Sequence, residues 1–138
     1  MIDVTNLERQ HVEVKELFKY IKSNINNIET KEILDKVVLN INTLAGKLIV
    51  HMNSEDKFLY PRLLNNEDSK IKTMAKEYID EMGDLHNKFK EYKSTFNTKN
   101  KIIENKEMFI KETIRIITLL EDRINKEDKK LYPQIKTM

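Results

Sequence analysis

Apolar residues recur at alternating spacings of four and three along most of the chain, and this pattern constrains the fold more than any other sequence feature. Such spacing keeps side chains on one face of an α-helix and is typical of helices that pack into bundles. Four inward faces can be traced: Leu7, His11, Val14, Phe18, Ile21, Ile25 and Ile28; Leu34, Val37, Ile41, Leu44, Leu48, His51, Glu55 and Phe58; Ile71, Ala75, Tyr78, Met82, His86 and Phe89; and Phe109, Thr113, Ile116, Leu120, Arg123 and Glu127. Glycine and proline, two of each, are too scarce for the turns of a β-rich fold.

Polar segments separate the four faces. They predict turns at residues 26–30, 65–69 and 97–100, with Thr30 and Ser69 as helix N-caps. Short connections between long helices favour antiparallel neighbours. The sequence therefore predicts an all-α fold, an up-down-up-down antiparallel four-helix bundle that forms one domain over residues 1–138.

Two features concern the packing of these helices. Gly46 and Gly83 lie within helices, where glycine costs about 1 kcal/mol relative to alanine, and we expect close helix packing at both. His86 lies roughly 25 Å from the start of its predicted helix, whereas Glu55 lies only roughly 14 Å from the end of its own. We expect a bend or an irregular segment between residues 61 and 75, because straight helices would leave His86 above Glu55.

Composition excludes several classes of protein. Cysteine is absent, which excludes disulfide scaffolds, thiolate zinc sites, iron–sulfur clusters and cysteine nucleophiles. Charged residues make up 35% of the chain, but their signs alternate and the net charge is only +2, unlike the basic stripe of a nucleic-acid binder. No apolar run approaches the roughly 20 residues that span a membrane, and the N-terminus does not resemble a secretory signal. We therefore expect a cytoplasmic protein that binds neither nucleic acid nor membranes.

Polar residues on the inward faces point to a buried site. They are His11, His51, Glu55, His86, Arg123 and Glu127. An ionised carboxylate in an apolar layer is strongly disfavoured unless it pairs with a cation or binds a metal. In an antiparallel bundle His11, His51, Glu55 and Glu127 can share one layer, and their nitrogen and oxygen donors suit iron, manganese or zinc.

The segments HMNSEDKFLYP and RINKEDKKLYP, which begin at His51 and Arg123, are near-copies. Each supplies a glutamate, Glu55 or Glu127, at the same place in the repeat. A single His-x-x-x-Glu spacing is weak evidence for a metal site. The near-repeat, in register with the predicted helix faces, is much stronger evidence.

These residues resemble a known family. The segments LERQHVEVKELF, HMNSEDKFLYP, DLHNKFKEY and INKEDKKLYP are similar to the hemerythrin-like (HHE cation-binding) four-helix bundles, and the resemblance covers nearly the whole chain. It implies a non-haem di-iron centre and a protein that binds or senses dioxygen or responds to iron, nitric oxide or peroxide. It also implies that Glu55 and Glu127 bridge the irons, that His11 and His51 bind one iron, and that His86 binds the other.

The chain departs from the family at the second iron. One turn before His86, where some members have histidine, stands Met82, a soft thioether poorly matched to ferric iron. The histidine that opens the last segment is replaced by Arg123, which stays protonated and cannot coordinate a metal. Arg123 could replace the second iron by pairing with the glutamates, complete a polar core that binds no metal, or extend outward on its long stem. The site is accordingly expected to hold one iron, two, or none.

The favoured interpretation is a binding or sensing protein whose partners are a metal ion and a small diatomic ligand. The alternative is a metal-free structural or protein-interaction module in which Arg123 pairs with Glu55 and Glu127. We expect no enzymatic activity, because the chain has no pair of Glu-x-x-His motifs, glycine-rich phosphate loop or serine triad. Tyr60 and Tyr132 are expected to cap the bundle end as buried rings.

Overall fold

A computed structural model describes residues 2–138, and every regular element within them is helical. The α-helices are α1 Thr5–Asn24, α2 Lys31–Ser54, α3 Tyr60–Leu64, α4 Ser69–Thr95, α5 Lys99–Glu104, α6 Lys106–Lys126 and α7 Tyr132–Lys136. A 3-10 turn at Ile25–Asn27 and two π-helical segments, Glu55–Leu59 and Glu127–Leu131, complete the set. The prediction of an all-α chain is confirmed. None of the helices in residues 2–138 combines the length and apolarity needed to cross a bilayer.

The helix starts follow local capping chemistry. Thr30 is the N-cap of α2, and its hydroxyl accepts a hydrogen bond from the Ile33 backbone N–H at 3.4 Å. The prediction of Ser69 as the N-cap of α4 is wrong, because Asp68 takes that place and accepts from the Lys70 N–H at 2.9 Å. A carboxylate at the helix N-terminus also complements the helix dipole, which a serine hydroxyl does not.

The core consists of two apolar clusters. Helix α1 packs against both α2 and α6, and α4 packs against α6. The larger cluster includes Phe18, Ile21, Leu44, Phe109 and Leu120, and the smaller one includes Leu7, Leu59, Leu63, Leu131 and Ile135. His11 lies on α1 between Leu7, which belongs to the smaller cluster, and Val14, which belongs to the larger. The buried histidines and glutamates thus lie where the two clusters meet.

Both π-helical segments begin at a glutamate of the repeat, Glu55 or Glu127. A π-helical turn holds an extra residue, so it shifts the inward face of the residues that follow it. The prediction that Phe58 faces inward is therefore wrong: its exposed fraction is 65%, whereas Leu59 and Tyr60 are 1% and 3% exposed.

Within residues 61–75 the helical pattern is interrupted at the turn of residues 65–68, and a further irregularity, Glu55–Leu59, lies before that range. The helical pattern changes at Glu55–Leu59, a turn separates α3 from α4, and α4 then runs without interruption from Ser69 to Thr95. His86, on this uninterrupted helix, lines a pocket together with Leu48 of α2. Met52, which precedes Glu55 by less than one turn, lines the same pocket. His86 does not belong to the group formed by His11, His51 and Glu127.

The two glycines do not mark close helix packing. Gly46 and Gly83 are helical and exposed, and a Cβ atom added to either would meet nothing within 4 Å. The expectation of close packing is wrong at both positions, because they face away from the neighbouring helices.

Candidate metal centre

Three buried side chains from different helical elements converge on one point. They are His11 of α1, His51 of α2 and Glu127, which follows α6, and their potential ligand atoms all lie within 4.8 Å of one another. The His11 Nε2 atom lies 3.0 Å from His51 Nε2 and 3.1 Å from Glu127 Oε1. His51 Nε2 lies 3.6 Å from the same Glu127 oxygen. The layer predicted from the helix registers therefore brings these three residues together.

Glu55 adjoins this group one helical turn after His51. Its Oε1 atom lies 3.3 Å from His51 Nε2, and its Oε2 atom accepts a hydrogen bond from the Tyr132 hydroxyl at 3.1 Å. Glu55 is 1% exposed. Glu55, the glutamate of the first copy, thus contacts His51, which Glu127 also approaches.

Hydrogen bonds on the far side of each ring orient the two histidines. His11 Nδ1 lies 2.6 Å from Asp128 Oδ1, and His51 Nδ1 lies 2.7 Å from Gln10 Oε1. Both partners are acceptor oxygens, so each Nδ1 carries the proton and, in a neutral ring, Nε2 presents a lone pair. An acceptor behind each metal-binding histidine is the usual arrangement in metal sites.

The separations fit a single metal ion. Metal bonds of about 2.1 Å place neighbouring ligand atoms about 3.0 Å apart in an octahedron and about 3.4 Å apart in a tetrahedron. The three nearest pairs of atoms, between His11, His51, Glu55 and Glu127, measure 3.0, 3.1 and 3.3 Å. Two imidazole nitrogens and two carboxylates suit iron, manganese or zinc. The residues present therefore fit a divalent transition metal.

Burial and mutual contacts shift the pKa values of the residues in this cluster. Burial opposes charge on His51, but hydrogen bonds to Glu127 and Glu55 outweigh it and raise the pKa of His51 to about 9. Burial and the nearby Glu127 carboxylate raise the pKa of Glu55. Burial also disfavours charge on Glu127, yet hydrogen bonds with Glu55 and the histidines hold its pKa below the usual value. Without a metal, protons balance the charge of the two carboxylates.

Arg123 lies on the other side of Glu127. Its side chain is 5% exposed, and its Nη2 atom lies 3.7 Å from Glu127 Oε2 and donates to the Tyr60 hydroxyl at 2.9 Å. Its Nη1 atom approaches Glu81 of α4 at 3.5 Å, and the group lies over the Tyr78 ring at 4.6 Å. The outward orientation considered for Arg123 does not occur, since the guanidinium is buried beside Glu127.

Tyr60 and Tyr132 belong to the site. The Tyr132 hydroxyl lies 3.3 Å from His11 Nε2 as well as close to Glu55, and the Tyr60 hydroxyl lies 3.5 Å from Glu127 Oε2. Burial raises the pKa of both phenols, which keeps them protonated and available as donors. Both rings are buried, as predicted, and their hydroxyls in addition reach the histidines and glutamates of the centre.

His86 lies apart from this cluster. It is half-buried and lines an apolar pocket with Met82, Leu48 and Met52. The contacts that join His11, His51, Glu55 and Glu127 do not include His86. Coordination of a metal by His86 stays a prediction.

Two functional residues were missed in the sequence. Asp128 and Gln10 orient the histidines, yet both lie next to an inward position and not on one. The signal for Asp128 was its place directly after Glu127 in the repeat. The equivalent residue after Glu55, Asp56, is exposed, so the repeat alone could not identify which of the two aspartates acts.

Comparison with known proteins agrees with the site. The family model for the hemerythrin HHE cation-binding domain matches residues 3–135. Searches among curated proteins and among solved structures give no significant match. The family match spans nearly the whole chain and includes all the residues of the buried cluster, His11, His51, Glu55 and Glu127. The chain therefore belongs to the hemerythrin HHE cation-binding domain family.

Proposed function

We propose that this hemerythrin-like metal-binding protein holds one non-haem iron and uses it to bind or sense dioxygen or nitric oxide in the cytoplasm, without catalysing a reaction. The ligands are His11, His51, Glu55 and Glu127, within an up-down-up-down antiparallel four-helix bundle. The buried histidine–glutamate group and the family membership support metal binding. The proposal goes beyond metal binding when it names iron as the metal and dioxygen or nitric oxide as the ligand.

The proposal of a single iron rests on the orientation of the Glu127 carboxylate. Its Oε1 atom faces the two histidines, whereas its Oε2 atom faces the Tyr60 hydroxyl and the Arg123 guanidinium. A carboxylate that bridges two metals would have a cation on each oxygen. In this chain Arg123 supplies the cation on the second side.

The surrounding residues define what the site does. Asp128 and Gln10 hold the Nδ1 protons and so direct both Nε2 atoms to the metal position. The Tyr132 hydroxyl lies within reach of His11 and Glu55 and can donate to a small ligand at the same place. A bound iron would supply redox chemistry and an open coordination position for a diatomic molecule. Because the cluster is buried, water is largely kept away from it.

Metal analysis of the full chain purified from iron-supplemented cells tests the proposal. We expect close to one iron per chain, since one set of ligands is complete. Less than about a tenth of an equivalent of any transition metal would refute metal binding. Two irons per chain would refute the assignment of Arg123 to the second position.

The variant Arg123→His tests the role of the arginine directly. It supplies an imidazole at the altered position, and we expect iron content to rise above one per chain, with a new absorption from a bridged pair. Arg115→His is the matched control, because Arg115 lies on the same helix with 61% of its side chain exposed. Equal iron content in both variants would contradict the proposal.

A metal-free module is the second candidate, and one contact favours it. Arg123 Nη2 already lies 3.7 Å from Glu127, so positive charge partly compensates the carboxylate without a metal. In that case the protein would bind a partner through its surface. A protein that folds fully and takes up no iron, manganese or zinc in dialysis would support this alternative.

A further inference from the structure

The outer face of α2 carries two large apolar residues that the described part of the chain leaves exposed. Leu39 and Val50 are 63% and 57% exposed, and Thr43 and Gly46 between them are exposed as well. Their spacing of four, three and four residues places the four positions in one line along the helix. Together with exposed charges at both ends of this line they form the outer stripe, which consists of Glu32, Leu39, Thr43, Gly46, Val50 and Lys57.

The outer stripe lies on the opposite side of α2 from the metal centre. Leu48 and His51 of the same helix are buried and face the core. On the solvent side an open groove of about 430 Å³ lies between α1 and α2, and Thr43, Gly46 and Val50 belong to its lining. Single exposed apolar residues are normal, whereas apolar residues that are aligned beside a groove are typical of a surface that meets another molecule.

Gly46 leaves room for close approach at the middle of the stripe. A Cβ atom added there would meet nothing within 4 Å, so no contact within residues 2–138 requires a glycine. Glycine is nevertheless less favourable than alanine within a helix. Because Gly46 has no side chain, a second backbone can come close to the helix at this position.

The apolar part of the stripe can pair with its own copy. In a twofold dimer that joins two α2 helices antiparallel, each residue faces the one that lies equally far on the other side of the axis. An axis midway between Thr43 and Gly46 brings Thr43 of one copy opposite Gly46 of the other. The same axis brings Leu39 opposite Val50, because both lie four residues further out. The two exposed apolar residues of each copy are then covered.

The charges at the ends of the stripe select the antiparallel direction. Glu32 and Lys57 lie seven residues beyond Leu39 and Val50, so the same axis brings Glu32 of one copy opposite Lys57 of the other. Both side chains are exposed and free to reach a second copy. A parallel pairing would instead place Glu32 beside Glu32 and Lys57 beside Lys57, which is unfavourable between like charges. The charge complementarity therefore identifies a second copy of this chain as the partner.

From the aligned apolar residues, the open position at Gly46 and the complementary ends, we infer that two copies of this chain associate through the outer stripes of their α2 helices, antiparallel about a twofold axis. A stable interface buries roughly 1,200–2,000 Å², which is more than one pair of crossing helices provides. We therefore expect a reversible dimer with a dissociation constant on the order of 100 μM. None of the proposed metal ligands belongs to the stripe, so the dimer forms with or without iron.

Sedimentation equilibrium of the full chain, from about 10 μM to about 1 mM and in the presence of a chelator, tests the inference. We expect a monomer–dimer equilibrium. Gly46→Arg should weaken the dimer at least roughly tenfold, because it places a bulky cation from each copy at the crossing point. Gly83→Arg is the matched control, since Gly83 is also an exposed helical glycine with open space around it but lies on α4.

An exchange of charges tests the direction of the pairing. Glu32→Lys and Lys57→Glu should each weaken the dimer at least roughly threefold, because each creates two like-charge pairs across the twofold axis. The double variant Glu32→Lys/Lys57→Glu should dimerise like the unchanged protein, since it restores both opposite-charge pairs and the net charge of +2. Both residues are exposed, so these substitutions leave the fold intact.

Three results would overturn the inference: a chain that stays monomeric at about 1 mM, equal weakening by Gly46→Arg and Gly83→Arg, or a double charge variant that dimerises no better than the single variants. The first result would leave the stripe to a partner other than a second copy, and the last would show that the copies meet in another direction. Because the chelator is present throughout, these results are separate from the test of the metal centre.

Discussion

Asp128 shows how one residue next to an inward position can determine the chemistry of the centre. Its carboxylate lies 2.6 Å from His11 Nδ1 and also pairs with Lys15. We expect Asp128→Ala to weaken metal binding by roughly 10–100-fold, because the His11 ring loses the acceptor that fixes its proton and orientation. Competition with a chelator of known affinity measures this.

The repeat provides the matched control for this prediction. Asp56 has the same place after Glu55 that Asp128 has after Glu127, but its side chain is exposed. Asp56→Ala should leave metal affinity unchanged. Equal effects of the two substitutions would show that general loss of negative charge, and not the contact with His11, controls binding.

Arg123 lies buried beside Glu127, on the side away from the histidines. Since its buried guanidinium faces Glu127, we expect Arg123→Met to destabilise the metal-free protein by about 3–5 kcal/mol, because a buried carboxylate loses its cation. Urea unfolding in the presence of a chelator measures the change. Arg115→Met, on the exposed side of α6, should change stability by less than about 0.5 kcal/mol. If the two variants unfold alike, His51 alone compensates Glu127.

At the scale of helices, the spacing of apolar residues predicted most of the inward faces correctly. The registers of α1, α2 and α6 brought His11, His51 and Glu127 together, because regular α-helices carry such a pattern over many turns. The same spacing failed at Phe58, three residues after Glu55. The α-helical period of 3.6 residues per turn does not predict where a π-helical turn occurs. Whether such a turn forms depends on the contacts that it allows at the site.

The tyrosines of the repeat illustrate the same limit. Tyr60 and Tyr132 each follow a π-helical segment directly, and each directs a hydroxyl to a glutamate of the other copy: Tyr60 to Glu127 and Tyr132 to Glu55. The Leu-Tyr-Pro repeat indicated a shared role for the two tyrosines. The direction of their side chains could not be predicted, because the helical period changes just before each tyrosine.

The glycines within α2 and α4 allow a test at the same scale. Because a Cβ atom meets nothing within 4 Å at Gly46 or Gly83, we expect each Gly→Ala substitution to stabilise the protein by about 1 kcal/mol. Thermal unfolding measures the change, and the double variant should be additive, since the two residues lie on different helices. Destabilisation by either alanine would restore the close-packing interpretation at that position.

For the whole molecule, the important arrangement is a polar layer between two apolar clusters. The proposed ligands come from α1, α2 with the segment after it, and the segment after α6, so a metal would connect elements that also contribute to the two apolar clusters. The sequence predicted this layer, but the group of His11, His51 and Glu127 does not include His86 of α4. His86 instead lines a pocket with residues of α2.

Hydrogen exchange with and without iron tests this view of the molecule. Iron should slow exchange of amides around His11, His51 and Glu127, because opening any of these segments would break metal bonds. The amides of α4 around His86 should change much less, since α4 contributes no ligand to the proposed single-iron site. Comparable protection of α4 would show that His86 coordinates a metal, and the number of irons per chain would then have to exceed one. If iron protects no amides, the glutamates would have Arg123 and protonated His51 as their compensating charges.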